Sequence, residues 1–85
     1  MLLTPSAGIA VCNTALQRCF LIGKIEGGIF NKPRFEARLD CIWDGLSPPV
    51  SMAQAEENNS KARRFIEMEA ERHNAFVITT LPLAK

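Results

Sequence analysis

What this chain lacks narrows its chemistry more than what it carries. It has a single histidine, His73, so a nucleophilic site with an imidazole base has one residue to draw on. Its three cysteines, Cys12, Cys19 and Cys41, are odd in number and contain no CxxC pair. That spacing argues against a closed disulfide framework and against a structural zinc site, leaving reduced thiols in the interior as the simpler reading. No group of His, Cys, Asp or Glu stands at ligand spacing, and no cofactor is expected. Charge of one sign is also missing. With 10 Lys plus Arg against 9 Asp plus Glu, the formal net charge is +1, too small to steer the chain towards nucleic acid or an anionic membrane. No apolar stretch approaches the ~20 residues that span a bilayer. The N-terminal Met1-Leu2-Leu3-Thr4-Pro5 has no basic segment and meets proline at once, so it does not read as a signal peptide. The expected compartment is the cytoplasm, with no membrane partner.

What is present is a single-domain composition over residues 1–85, 47% hydrophobic and 22% charged. A chain of this length buries roughly 60–65% of the surface it exposes when unfolded, a marginal core for which a homodimer is one remedy. No segment repeats another. The clearest pattern is Arg34-Phe35-Glu36-Ala37-Arg38-Leu39-Asp40-Cys41-Ile42-Trp43, where charged and apolar side chains alternate as in a strand with one face in a core. The row Phe35, Ala37, Leu39, Cys41 and Trp43 is expected to form the spine of that core. The row Arg34, Glu36, Arg38 and Asp40 is expected to be a solvated face, and it is the candidate partner-binding surface.

The clusters Gly27-Gly28, Asn31-Lys32-Pro33, Asp44-Gly45 and Ser47-Pro48-Pro49 punctuate the chain. They predict a preceding strand from Cys19 to Glu26 that folds back on the Arg34–Trp43 strand through a long connection, Gly27 to Pro33. Residues 7–20 admit two readings. Helical spacing of Cys12, Ala15, Leu16, Cys19 and Phe20, with Thr4 as cap and Pro5 in the first turn, favours a helix. Gly8 and the run Ile9-Ala10-Val11-Cys12 favour two strands, and the balance tips slightly that way. Ser51 caps a helix running through His73, with Ala62, Phe65, Ile66 and Ala70 on its inner face and a weak point at Asn58-Asn59-Ser60. Phe76-Val77-Ile78-Thr79-Thr80 completes the set as a strand. The fold class is α+β: a small antiparallel sheet of three to four strands with one main helix on one face, in the order β-β-β-α-β or α-β-β-α-β.

No family resemblance stands out in these motifs. Cys41 on a strand and His73 at a helix end are read as a buried thiol and a solvated helix terminus. Gly23-Lys24-Ile25-Glu26-Gly27-Gly28 matches no phosphate loop. Glu36 and Asp40 are interleaved with arginines, unlike a catalytic carboxylate pair. The chain is therefore expected to be a non-enzymatic accessory or regulatory protein that binds and modulates another protein, in the manner of an inhibitor from a mobile element. The alternative is a nucleic-acid-binding regulator using Lys32, Arg34, Arg38, Lys61, Arg63 and Arg64. The acidic neighbours of those residues favour ordinary ion pairs.

Overall fold

The computed structural model describes residues 2–83, leaving aside the side chains of Leu39 and Asp40. The chain begins with a two-residue strand, β1 (Leu2–Leu3), followed by helix α1 (Pro5–Thr14) and a single 3-10 turn at Leu16–Arg18. Two long strands come next, β2 (Phe20–Asn31) and β3 (Arg34–Asp44), then helix α2 (Met52–Glu69) and strand β4 (Ala75–Pro82). The strands form one antiparallel sheet in the order β1-β4-β2-β3. This is the α+β class with α2 as its main helix.

Residues 7–20 form a helix and a 3-10 turn, which corrects the lean towards two strands. The Thr4 hydroxyl accepts from the Ala7 amide at 3.3 Å and Pro5 opens the first turn, as a helix start requires. Gly8, which argued for strands, packs against Ile66 of α2 and Ile78 of β4. A Cβ there would stand 3.1 Å from Ile66 Cδ1 and 3.4 Å from Ile78 Cδ1. Tertiary packing thus outweighs the glycine's low helix propensity.

The core is built from Ile22 and Ile25 of β2, Phe76 and Ile78 of β4, Cys12 and Ala15 at the end of α1, and Ala62 and Ile66 of α2, with Cys41 from β3. Both helices lie on the Ile25–Phe76–Ile78 face of the sheet. The Ala62–Ile66 face of α2 is buried as its spacing predicts, with Phe65 packed at the margin. Met68, off that face, is 74% exposed.

The expected spine along β3 is not one face. Lys24, Ile25 and Glu26 pair with Asp44, Trp43 and Ile42, whereas Gly28 to Asn31 pair with Ala37 to Arg34. Between Glu26 and Gly28, β2 advances two residues while β3 advances five, from Ala37 to Ile42. The difference is odd, so the alternation inverts across this bulge. Cross-strand partners share a face, which places Trp43 with Ile25 on the core side and Phe35 with Phe30 on the opposite side. Ala37 is exposed, and Cys41 is the one fully buried member of the row among its described side chains. The core belongs to β2 and β4, with β3 as an edge.

Gly27-Gly28 does not end a strand either, since β2 runs through it to a turn of two residues, Lys32-Pro33, with a cis peptide bond. A Cβ on Gly27 would collide with Cys41 Sγ and approach Phe76 Cε1 to 3.0 Å, and one on Gly28 would collide with the carbonyl oxygen of Glu36. These glycines permit close approach at the bulge.

Candidate functional site

The molecule is elongated, about 37 × 21 × 21 Å, because the β2–β3 hairpin carries the sheet beyond the helices. β3 lies outermost. β2 pairs with one of its edges, and no strand among the described residues covers the other.

Three asparagines hold the central strand in register beneath this edge. Asn59 Oδ1 accepts from the Ile22 amide at 2.9 Å, and its Nδ2 donates to the Phe20 carbonyl at 3.2 Å. Asn58 Nδ2 donates to the Ile22 carbonyl at 2.9 Å, while its Oδ1 accepts from the Leu46 amide at 2.8 Å. These amides take up backbone groups of β2 beyond the last β3 pair, at Lys24 and Asp44. At the other end Asn74 takes up Phe30 beyond the last β4 pair, Gly28 and Ala75, accepting from its amide at 2.7 Å and donating to its carbonyl at 3.1 Å. The predicted weak point at Asn58-Asn59-Ser60 is thus a clamp, and α2 passes through it unbroken. Amides engaged by the sheet do not compete with the helix backbone.

The tip half of β3 carries the charged candidates. Arg34, Glu36 and Arg38 are all exposed, with Lys32 beside them in the turn. Glu36 and Arg38 form an ion pair at 3.5 Å. The Asp40 side chain lies outside the described residues. Behind the tip, Phe30 and Phe35 face each other on the side of the sheet that no described helix covers, both half-buried.

The other half of β3 borders a cleft of about 390 Å³ between the strand end and α2, lined by Trp43, Asp44, Leu46, Glu57, Asn58 and Lys61. Trp43 packs its inner part against the core, and Leu46 is 45% exposed at the mouth. Glu57 and Lys61 face each other across one helical turn at 3.5 Å. A half-buried tryptophan beside an apolar residue and charges of both signs can receive a protruding side chain from a partner. Sequence reasoning passed over this cleft, because residues from 43 to 61 are brought together by contacts between distant segments, among them the Asn58–Leu46 and Asn58–Ile22 bonds.

The helical cations of the nucleic-acid reading do not form one patch. Lys61 lines the Trp43 cleft and pairs with Glu57, whereas Arg63 pairs with Glu67 at 4.0 Å and lines a separate depression with Cys12. Arg64 is exposed.

His73 is not the solvated terminus it was expected to be. Its side chain is 10% exposed and its Nε2 lies 3.5 Å from Glu69 Oε1. Burial pushes the Cys12 thiol up to about 11, with Arg63 nearby pulling slightly the other way, so this thiol stays protonated. Cys41 is fully buried, and Cys19 is exposed at the start of β2, with a left-handed backbone at φ 63°.

A clamped scaffold that displays one long strand edge, a charged tip and an aromatic cleft has the form of a protein-binding module. Comparison with known proteins agrees. Residues 1–81 match the family described as Colicin-E5 Imm protein. The chain is 51% identical over 79 residues to the immunity protein CdiI of Burkholderia pseudomallei, covering 93% of this chain and 72% of that protein. It is 34% identical over 80 residues to the colicin-E5 immunity protein of Escherichia coli, covering 93% of this chain and 96% of that protein. A colicin-E5 immunity protein found in ColE9, also from Escherichia coli, matches to the same extent. The chain therefore belongs to the colicin-E5 immunity protein family. It is a small non-enzymatic inhibitor that acts by binding a toxin protein. No helix among the described residues is long and apolar enough to cross a membrane.

Proposed function

We propose that this chain neutralises a toxin domain related to colicin E5, in the cytoplasm, and that β3 with its flanks is the toxin-facing surface. The observation that supports the surface is the position of β3: eleven residues of edge strand, with Arg34, Glu36 and Arg38 exposed at one end and the Trp43 cleft at the other. An edge of this length offers backbone hydrogen bonds for strand addition, and its side chains supply the selectivity. The toxin contacts the charged tip for orientation and fills the Trp43 cleft for affinity.

The test is calorimetric titration of the chain with a colicin-E5-type toxin domain. The double change Glu36→Lys with Arg38→Glu is expected to weaken binding at low salt. Trp43→Ala is expected to weaken it at all salt concentrations by ~30-fold or more, the size of an interface anchor. Arg64→Glu, on the exposed side of α2, is expected to change little. Weakening by Arg64→Glu alone would move the site to the helix. Salt-dependent binding to mixed RNA, lost with Lys32, Arg34 and Arg38, would favour the nucleic-acid reading. Light scattering on the toxin-free chain tests the homodimer, for which the same edge would serve.

A further inference from the structure

The end of α2 and the turn that follows bring three different metal-ligating side chains together beneath the β3 bulge. Cys41 enters from β3, Glu69 is the last residue of α2, and His73 lies in the turn before β4. The His73 amide donates to the Glu69 carbonyl at 3.0 Å, a continuing helical turn that stacks the imidazole over the carboxylate. Glu69 Oε1 stands 3.8 Å from Cys41 Sγ and 3.5 Å from His73 Nε2. One donor atom from each of the three residues lies within 4.8 Å of the other two. Around a tetrahedral zinc ion, with Zn–S of about 2.3 Å and Zn–N and Zn–O of about 2.0–2.1 Å, donors are separated by roughly 3.4–3.6 Å. Small side-chain movements therefore bring all three onto one ion.

We propose that Cys41, Glu69 and His73 form a zinc-binding site, with water in the fourth position. Sequence reasoning found no ligand cluster, because the three residues come from separate elements and meet only where Gly27 leaves room for the Cys41 sulfur. Their chemistry suits zinc, which accepts thiolate, imidazole and carboxylate together, whereas calcium and magnesium prefer oxygen alone. Charge also balances: one thiolate and one carboxylate neutralise the dication in a shielded place. Arg72 Nη2 donates to Glu69 Oε2 at 3.4 Å and to Oε1 at 3.5 Å, a forked contact that steadies the carboxylate and narrows to Oε2 when Oε1 turns to the ion. His73 Nδ1 is buried without a hydrogen-bond partner, so the ring is anchored only through the nitrogen that faces Glu69. Nε2, already turned to Glu69 Oε1 at 3.5 Å, is the ring nitrogen placed to meet the ion. On binding, zinc displaces the thiol proton of Cys41 to solvent and, where His73 is charged, its proton as well.

The experiment uses the full chain, freed of metal with a chelator. Zinc is titrated in competition with a chromophoric chelator, and cobalt(II) is used to read the ligands. One equivalent is expected to bind, with proton release, and a near-ultraviolet thiolate-to-cobalt absorption is expected to appear. Zinc at about 100 times its Kd should raise Tm by roughly 10 °C or more. Cys41→Ser should remove the absorption and His73→Gln should weaken binding by more than about 100-fold. Cys19→Ser, which changes the exposed thiol, should alter neither. Since Cys41→Ser changes a buried position, circular dichroism checks its fold, and His73→Gln carries the test if that variant unfolds. Absence of stoichiometric binding, or an absorption that survives Cys41→Ser and disappears with Cys19→Ser, would overturn the site.

Discussion

The sulfur of Cys41 occupies the space in which a side chain on Gly27 would have to stand. The glycine and the thiol face each other across the bulge, with the ring of Phe76 closing the gap from β4. Gly27→Ala is therefore expected to destabilise the protein by about 1–3 kcal/mol, since neither the buried sulfur nor the ring has free volume to yield. Combining it with Cys41→Gly should recover part of the loss. Urea unfolding of the two single variants and the double variant measures the coupling, and strict additivity would contradict this packing.

Asn59 satisfies two backbone groups of β2 from within the interior. Asn59→Ala should cost about 2–4 kcal/mol, because it leaves the Ile22 amide and the Phe20 carbonyl without partners. Asn74→Ala, whose bonds to Phe30 are exposed, should cost about 1 kcal/mol. The ordering of the two losses in denaturant melts is the check.

Ser51 and Gln54 form a capping box at the start of α2: Ser51 Oγ accepts from the Gln54 amide at 3.1 Å, and Gln54 Oε1 accepts from the Ser51 amide at 2.8 Å. Ser51→Ala should lower stability by about 1 kcal/mol and leave toxin affinity unchanged. Paired melting and titration experiments separate the two effects.

Cys12 ties stability to alkaline pH. Its thiol is raised from 9.0 to about 11, so the folded state holds a proton that the unfolded state releases earlier. The contribution is fully present below pH 9 and is lost as pH rises through 11. Stability is expected to fall across that window, and Cys12→Ala should flatten the fall. At pH 8 a thiol reagent should label Cys19 in the native protein and reach Cys12 only on unfolding.

How much of this was legible in the sequence depends on which interactions are local. The α2 cap, its Ala62–Ile66 face and the Phe76–Thr80 strand all follow from near neighbours, and the structure has them where the pattern puts them, whereas the Thr4–Pro5 start was outweighed by Gly8 in the lean towards strands. The α+β class followed from the same local patterns, while the inhibitor role was reached from composition and missing chemistry with no particular residue behind it. What escaped depends on contacts distant in the chain. The alternation from Phe35 to Trp43 looked like one face because a bulge is invisible to a period-two pattern. Gly8 and Gly27 looked like breakers because the side chains that crowd them come from elsewhere. Asn58-Asn59 looked like a weak point in the helix because its partners are 36 and 37 residues away.

The outer edge of β3 has one further consequence. A strand with its backbone groups open on one side is a template for any extended chain, including misfolded copies of this protein. On the proposed function, that edge stays uncovered until a toxin docks on it. Arg34, Glu36 and Arg38 then act as gatekeepers: a stray apolar strand that docks there buries their charges without compensation. The price of keeping the edge open is a tip too polar to aggregate, which only a partner with matching charges can cover.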